Sequence, residues 1–312
     1  MSKHYESEQL QSYALEQVQL ISYENSSKNV SKRMGNCSIS DMRLHGLVNE
    51  YAQDIKQRQE KQIALYENQT KPAIKVVDVY SSQEEEILFL ADGVCVSEQK
   101  QKRDKVKKTG KERVTTDVMM LQQADKSFKT IMACEGISNE KLLESELKMS
   151  YGKSKKPLPI VCLSDGARSI KNECKAVFGQ QVTHMLDYYH LRAKVVQLMS
   201  QIAPNKVIKE EMIKLMMELL WNGKVISAVI ALKFLVPKNQ IKKDELIGYL
   251  EKNQSYIIDY KTRKEAGKVI GSGRVEKEND LIVAKRQKCK AMAWSKNGSR
   301  SLAVVTAYHN AA

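Results

Sequence analysis

The segment 87–96 constrains the fold most, because it is an apolar run with one charge in its middle. Its sequence is Ile-Leu-Phe-Leu-Ala-Asp-Gly-Val-Cys-Val. An apolar run of this length is typical of a strand that is buried on both faces of a sheet. Asp92 follows the five apolar residues 87–91 directly, so we expect a carboxylate where a central strand ends.

Two further segments repeat this placement of an acidic residue. The run 158–164 follows Pro157 and leads into Asp165-Gly166, and a Gly-Ser-Gly turn at 271–273 leads into a helix that carries Glu276. Carboxylates at the ends of neighbouring strands converge, and a helix packed across the sheet brings a third. Three carboxylates suit hard divalent cations, and two such cations about 4 Å apart activate an attacking oxygen and stabilise a leaving one. The pattern favours a metal site made of Asp92, Asp165 and Glu276.

Each of the three residues also has an ordinary structural explanation. An Asp-Gly pair after a strand is a common turn signal, and it occurs at both Asp92 and Asp165. A glutamate in the first turns of a helix, such as Glu276, suits the helix dipole without any further role. Their occurrence together, in this order and in a strongly basic chain, favours the metal site over these explanations.

The remaining pattern predicts an α/β fold around a mixed sheet, because strands and helices alternate along the middle of the chain. Other β-rich runs cover residues 74–80, 115–122, 127–134 and 182–186. From Pro204 to about Ile258 the apolar spacing is entirely helical, which indicates a helical insertion between the fifth strand and the Glu276 helix. We therefore divide the chain into 1–72, an N-terminal helical region, 73–203, the first part of the α/β domain, 204–258, the insertion, and 259–312, the second part.

The N-terminal region reads as two helices, 7–21 and about 40–55, separated near Gly35-Asn36. Such a pair fits a helix-turn-helix whose second helix enters the major groove of DNA, with Arg43, His45 and Asn49 as its exposed candidates. A plain helical hairpin fits equally well.

The formal net charge of +14 points to a polyanionic partner, nucleic acid first and an acidic membrane second. A basic surface without a specific partner is the alternative. Candidates for phosphate contacts lie in a basic loop at 97–113 and on the face of the Glu276 helix that we expect to be exposed: Lys105, Lys107, Arg274, Lys285, Arg286 and Lys288. The six cysteines form no Cys-x-x-Cys pair, and no apolar stretch reaches about 18 residues. We expect a cytoplasmic protein without a membrane span.

A longer set of motifs resembles the DDE transposases of bacterial insertion sequences. The motifs are Leu163-Ser-Asp-Gly-Ala167, Leu186-Asp-Tyr-Tyr-His-Leu191, Ile270-Gly-Ser-Gly-Arg-Val-Glu276, Arg286-Gln-Lys288 and Met292-Ala-Trp-Ser295. The resemblance covers roughly residues 20–308 and is most specific in the C-terminal third. It is greatest to the Kra-type elements and their relatives, which carry a helical insertion before the catalytic glutamate.

The resemblance implies an RNase H-like fold, with a mixed five-stranded sheet that the insertion interrupts. It assigns Asp92, Asp165 and Glu276 as catalytic ligands of two Mg²⁺ ions, which Mn²⁺ can replace; the match at Asp92 depends on strand position and the following glycine. It gives Asp187 and His190 a role in ordering the site, although His190 is equally explained as a core histidine at a helix start. The implied partner is double-stranded DNA, both element ends and target, bound by a homodimer or larger assembly at the bacterial nucleoid.

Two alternatives to a complete transposase remain. One is a nuclease of RNase H-like fold that cuts DNA without joining it. The other is a truncated, inactive transposase that only binds DNA, because relatives usually have a longer N-terminal DNA-binding region, whereas this chain starts just before the two N-terminal helices and stops soon after Tyr308.

Overall fold

A mixed five-stranded sheet forms the centre of the chain. The computed structural model describes residues 7–35, 39–99, 113–290 and 292–310. The strands are β1 Ile87–Ser97, β2 Arg113–Gln122, β3 Phe128–Ile131, β4 Ile160–Ser164 and β5 Thr183–Leu186. Their order across the sheet is β3-β2-β1-β4-β5. β1 pairs antiparallel with β2 and parallel with β4, and β4 pairs parallel with β5. The predicted α/β class and mixed sheet are confirmed.

One predicted strand, at residues 74–80, is wrong. Within the described part of the chain, its strand-like pairing is limited to an isolated bridge between Ile74 and Leu158. Farther along it the Asp78 carboxylate accepts a hydrogen bond from the Tyr80 backbone N–H at 2.9 Å, while the Asp78 N–H donates to Glu84 at 2.6 Å. These bonds between side chains and the backbone replace a strand ladder, which explains the turn at this point.

The thirteen α-helices described occupy both faces of the sheet and the insertion. They are α1 Glu8–Leu20, α2 Tyr23–Met34, α3 Asp41–Glu67, α4 Asn139–Tyr151, α5 Arg168–Phe178, α6 Tyr188–Ile202, α7 Lys206–Trp221, α8 Val225–Phe234, α9 Gln240–Lys252, α10 Tyr260–Glu265, α11 Gly273–Asn279, α12 Lys285–Gln287 and α13 Lys296–Asn310. A π-helical turn, Asp280–Ala284, connects α11 to α12. The sequence patterns did not predict α2, α4 or α10.

The alternation of side chains in β1 divides the core into two parts. Leu88, Leu90 and Val94 lie on one face, here called the front face, together with buried residues of α1–α3, α11 and α13. Phe89 and Ala91 lie on the back face, which α4 and α5 cover. Because successive side chains of a strand point to opposite faces, Asp92 belongs to the front face.

The N-terminal helices share the front-face core with the sheet. Leu44, Leu47 and Val48 of α3 belong to the same buried cluster as Leu90 and Val94, and α3 packs against α13 and α4. The predicted boundary after residue 72 therefore does not separate two cores. Whether residues 1–72 bind DNA stays a prediction.

Helix α3 has 27 residues and continues well beyond the predicted end near residue 55. Gln59 explains the extension, since its side chain is completely buried. Its amide donates to the Met132 carbonyl at 2.7 Å and accepts from the Cys134 N–H at 3.0 Å. These bonds attach the second half of α3 to the chain after β3, so residues 53–67, whose polar composition indicates a solvated helix, are helical and are anchored to the core through Gln59.

The insertion has a core of its own. Buried apolar residues of α7, α8 and α9 form a third cluster with those of α6 and with Leu186 at the end of β5. After the insertion, buried Arg263 pairs with Glu86 through two contacts of 2.8 Å each, which attaches α10 next to the start of β1. Within the described ranges, no helix is both long enough and apolar enough to cross a membrane.

Candidate active site

Asp92 and Asp165 lie side by side on the front face. Ala91 of β1 pairs with Ser164 of β4, so each aspartate immediately follows the last residue pair of this parallel ladder. In β4, Leu163 lies on the front face and Cys162 on the back, and continuing the alternation places Asp165 on the front as well. Neighbouring strands are about 4.8 Å apart, so the two carboxylates are close neighbours.

The position of Asp92 differs from its prediction in one respect. Asp92 does not end its strand, because β1 continues to Ser97 and Asp92 itself lies opposite Val118 of β2. It stands instead where β4 stops pairing, at the C-terminal edge of the parallel part of the sheet. The apolar run therefore located the edge correctly, but β2 extends the strand beyond it.

Among the residues that the structure describes, both aspartates keep lone pairs free for a ligand. One oxygen of Asp92 accepts from the Gly93 N–H at 3.0 Å, and the other accepts from the Asn279 amide at 2.7 Å. Asp165 accepts from the Ala167 N–H at 2.8 Å. Since a carboxylate offers about four acceptor sites, capacity remains on each. Burial is the main cause that raises the pKa of Asp92, with the Asp165 charge adding to it, while His190 and Asn279 act against it.

Asp187 occupies the corresponding position after β5, but its carboxylate accepts three hydrogen bonds from the protein. Its side chain is completely buried at the N-terminus of α6. One oxygen accepts from the His190 N–H at 2.9 Å, and the other accepts from the Ser272 hydroxyl at 2.6 Å and from the Ser272 N–H. Burial raises its pKa, but the hydrogen bonds from His190 and Ser272 outweigh this effect and leave the pKa below its ordinary value. Asp187 thus joins the start of α6 to the start of α11.

Position 271, next to this joint, has no room for a side chain. A Cβ atom there would lie 2.5 Å from the Tyr189 ring and 3.3 Å from the Asp187 carboxylate. On the other side, the Tyr188 N–H donates to the Ile270 carbonyl at 3.1 Å. The chain therefore returns from the insertion in direct contact with α6, and a side chain at position 271 would separate them.

His190 and Glu276 meet beside this joint. The His190 Nδ1 atom lies 3.4 Å from a Glu276 oxygen and 3.6 Å from Asp187 Oδ1, which are ion-pair contacts rather than well-formed hydrogen bonds. The adjacent Asp187 carboxylate is the main cause that raises the pKa of His190 to about 9; burial opposes the rise, and Asp92 and Glu276 add to it. The imidazole is therefore protonated at neutral pH and balances the surrounding carboxylates.

Glu276 is brought to the front face by α11, which packs on β1 and β2 and buries Val275 completely. Burial raises the pKa of Glu276, His190 lowers it, and Asp187 and Asp92 raise it further. Glu276 and Asp92 thus act on each other electrostatically, as Asp92 and Asp165 do.

A compact group of possible metal ligands is present, but it is not the predicted triad. The ligand atoms of Asp187, His190 and Glu276 lie within 4.8 Å of one another. Asp92 and Asp165 do not belong to this group. In a chain without cations, the protonated His190 attracts Glu276, whereas two carboxylates repel each other. The assignment of Asp92, Asp165 and Glu276 as metal ligands stays a prediction.

Two polar residues near this site were not predicted from the sequence. Asn279 lies three residues after Glu276, a spacing that puts both on the same side of α11, so this signal was readable. Asp117 lies in β2 opposite Gly93, and burial mainly raises its pKa, with the Asp165 and Asp92 charges adding to the rise. Aspartate is depleted in strands, so its occurrence inside a β-rich run was also a signal.

The basic candidates on the Glu276 segment separate into exposed and buried residues. Lys285, Lys288 and Arg274 are exposed, and the Arg274 guanidinium lies 4.5 Å from the centre of the Phe128 ring. Arg286 was predicted to be exposed, and this is wrong: only 3% of it is accessible. Its Nε donates to the Val18 carbonyl at 3.0 Å, and its guanidinium packs on the Trp294 ring. It holds α1 against the C-terminal part of the chain.

The other DNA-binding candidates lie on α3 or outside the described residues. Arg43 pairs with Glu50 at 2.6 Å, and the Asn49 amide lies 3.2 Å from the His45 ring. Both are partly exposed on α3. Lys105 and Lys107 fall in 100–112, outside the described part of the chain.

Comparisons with known proteins give no family for the chain. No protein-family model matches it, and no curated protein was found to be similar. Among solved structures, a strand transfer complex of the Drosophila P element transposase is similar over all of this chain and 80% of that chain, with 8% identity and a TM-score of 0.32. A score of that size does not establish a shared fold.

Proposed function

We propose that this protein is a DDE-type DNA transposase, which binds element ends, cleaves DNA and transfers the cut strand to a target. The observation that carries the proposal is the placement of two aspartates side by side at the edge of the parallel strands, with the helix of Glu276 lying across the same face. The motif resemblance assigns these same three residues to catalysis. We also propose that the mixed sheet and the helical insertion form an RNase H-like domain with the boundaries given above.

The donor set fits a hard divalent cation. Asp92, Asp165 and Glu276 offer carboxylate oxygens, the ligands that Mg²⁺ prefers, and we propose that they hold two Mg²⁺ ions, which Mn²⁺ can replace. A buried amide oxygen beside them, Oδ1 of Asn279, has no hydrogen-bond partner among the described residues, as expected next to a ligand shell. When bound, the ions would activate the attacking oxygen and neutralise charge at phosphorus.

The protein's own residues prepare this site. Asp187, through its bonds to Ser272 and His190, fixes the start of α11 and thereby the position of Glu276. His190 keeps a proton beside Asp187 and Glu276. Its positive charge lowers the pKa of both Asp92 and Glu276 and so stabilises their charged forms before any cation arrives, in line with the ordering role that the resemblance assigns to this pair.

Charge supports a DNA partner. The chain carries a net charge of +14, and Arg274, Lys285 and Lys288 are exposed on the segment that begins with the Glu276 helix. Lys and Arg that neutralise phosphates release counterions, so binding should weaken steeply with salt. We further propose that Arg43 and Asn49 of α3, and Lys105 and Lys107, contribute to DNA contact. A homodimer or larger assembly would bring two ends together, in the cytoplasm at the bacterial nucleoid.

The test is a cleavage and strand-transfer assay with purified protein, DNA that carries the element ends, and Mg²⁺ or Mn²⁺. We expect cut ends and joined products that depend on the metal and that are lost in Glu276→Ala. Cut ends without joined products would indicate a nuclease instead. Specific DNA binding that survives Glu276→Ala, with no metal-dependent cutting by the parent protein, would indicate a protein that only binds DNA.

A further inference from the structure

Asn279 contacts the proposed site through a hydrogen bond to Asp92, and no role has so far been assigned to it. It ends α11, is only 5% exposed, and donates from Nδ2 to Asp92 Oδ2 at 2.7 Å. We propose that Asn279 is a positioning residue that orients the Asp92 carboxylate for cation binding and presents its amide oxygen to the cation's water shell. This inference rests on the proposed function.

The orientation of the amide follows from the chemistry of its partner. An ionised carboxylate only accepts hydrogen bonds, so the amide nitrogen must face Asp92 and the amide oxygen must face away from it. That oxygen is buried and has no hydrogen-bond partner among the described residues. A buried acceptor without a partner is unfavourable and calls for an ion or an ordered water, and Mg²⁺ usually retains several waters that can donate.

The bonds around Asp92 leave room for a ligand. Gly93 donates to one oxygen and Asn279 to the other, so both oxygens are fixed in direction and each retains a lone pair. Hydrogen bonds of this kind orient ligating carboxylates in metal sites, and their loss typically lowers metal affinity by about 10- to 100-fold.

The local helix geometry supports a special role for this position. Glu276 and Asn279 are three residues apart on α11, so one helix face delivers both to the front face. The π-helical turn Asp280–Ala284 starts at the next residue. Such turns are frequent at functional sites, where they change the direction of side chains without ending the helix.

A purely structural role would also explain a hydrogen bond between α11 and β1, so the test separates metal affinity from stability. Mn²⁺ alone is titrated into the full chain and followed by its electron paramagnetic resonance signal, while the melting temperature is measured without metal. Asn279→Leu retains the approximate shape and removes both polar atoms. We expect its Mn²⁺ affinity to fall by about 10- to 100-fold. We also expect its metal-free melting temperature to stay within a few degrees of the parent's.

The matched control is Asn222→Leu, because the Asn222 amide also makes one hydrogen bond, to the Glu218 carbonyl, but in the insertion. Its Mn²⁺ affinity should equal the parent's. Asn279→Ala is the second variant, and it decides the matter if the leucine variant does not fold. Unchanged Mn²⁺ affinity in a folded Asn279 variant would overturn the inference, provided that Asp92→Ala weakens binding. If neither Asp92→Ala nor Asp165→Ala weakens binding, the proposed function itself fails.

Discussion

Strand alternation places Asp92 and Asp187 on the same front face and at the same edge of the sheet, yet their surroundings differ. Asp187 is fully buried and accepts three hydrogen bonds, from His190 and Ser272. Asp92 is partly exposed and accepts two, from Gly93 and Asn279. Asp187, which accepts more hydrogen bonds, keeps a lowered pKa despite its burial, whereas the pKa of Asp92 is raised, mainly by burial.

This difference separates two roles for identical side chains. A carboxylate that accepts three hydrogen bonds from buried donors of the protein stabilises the fold and has less capacity left for a cation. A carboxylate with free lone pairs next to another carboxylate contributes less to stability and is available for chemistry. Variants of the first kind should therefore lose stability, and variants of the second kind should lose activity.

The largest effect is expected at Asp165, which belongs to the second kind. Asp165→Asn retains the acceptor for the Ala167 N–H but removes a charged ligand. We expect metal-dependent DNA cleavage to fall by about 1000-fold, or roughly 4 kcal/mol of barrier, with an unchanged melting temperature. Asp125→Asn, in the β2–β3 turn, is the matched control and should cleave like the parent. An active Asp165→Asn variant would contradict the assignment of this pair to catalysis.

Asp187 should show the opposite response. Asp187→Ala leaves two backbone N–H groups and a hydroxyl without their buried acceptor, so we expect the free energy of unfolding to fall by about 3 kcal/mol in urea titrations. Asp259 also caps a helix, α10, but in a more exposed position. Asp259→Ala should therefore lose only about 1 kcal/mol. Equal losses in the two variants would show that the joint between α6 and α11 does not depend on Asp187.

His184 contacts the last residue of β4, Ser164, which directly precedes Asp165, and it should make the stability of the protein depend on pH. Its ring lies 2.9 Å from the Ser164 hydroxyl, and burial, with Lys171 and Lys175 adding to it, lowers its pKa to about 4 from an ordinary 6.5. Below pH 6.5 the unfolded chain takes up a proton that the folded chain does not accept until about pH 4. Stability should therefore fall as the pH decreases through this window, by about 2 kcal/mol between pH 7 and 5.

The measurement is urea unfolding at both pH values for the parent and for His184→Gln, which keeps an acceptor for Ser164 but does not titrate. The difference between the two proteins isolates His184 from the carboxylates that also titrate there. The same pH dependence in both proteins would mean that His184 is not held in its neutral form.

The parts of the site that the sequence predicted are those determined by local patterns. Apolar runs that end in aspartate located Asp92 and Asp165 at one sheet edge, because strand alternation and parallel pairing follow from such runs. The Gly-Ser-Gly turn and the helix that carries Glu276 were also predicted from a local pattern. The short segment 74–80 has strand composition, but hydrogen bonds of Asp78 and Glu84 formed a turn there.

The parts that the sequence did not predict depend on distant partners. Ser272, which completes the bonding of Asp187, is 85 positions away, and Val18, which accepts from Arg286, is 268 positions away. No periodicity encodes such pairs. Asn279 had a readable spacing from Glu276, but its partner Asp92 is 187 positions away, so its role could be inferred only after folding brought them together.

The same comparison applies to two basic residues, Lys285 and Arg286. The expected change in DNA binding on their substitution is small. They are adjacent, but Lys285 is exposed whereas Arg286 donates to the Val18 carbonyl and is buried. Lys285→Ala should reduce the salt dependence of DNA affinity by about one unit of log–log slope, with unchanged stability. Arg286→Ala removes the same charge but should leave the slope unchanged and lower the free energy of unfolding by about 2 kcal/mol. Fluorescence anisotropy at several salt concentrations gives the slopes, and urea unfolding gives the stabilities.

A reduced slope with full stability in Arg286→Ala would mean that its guanidinium reaches DNA. The distinction between polar groups bonded within the protein and polar groups available to a ligand would then not hold for the basic residues.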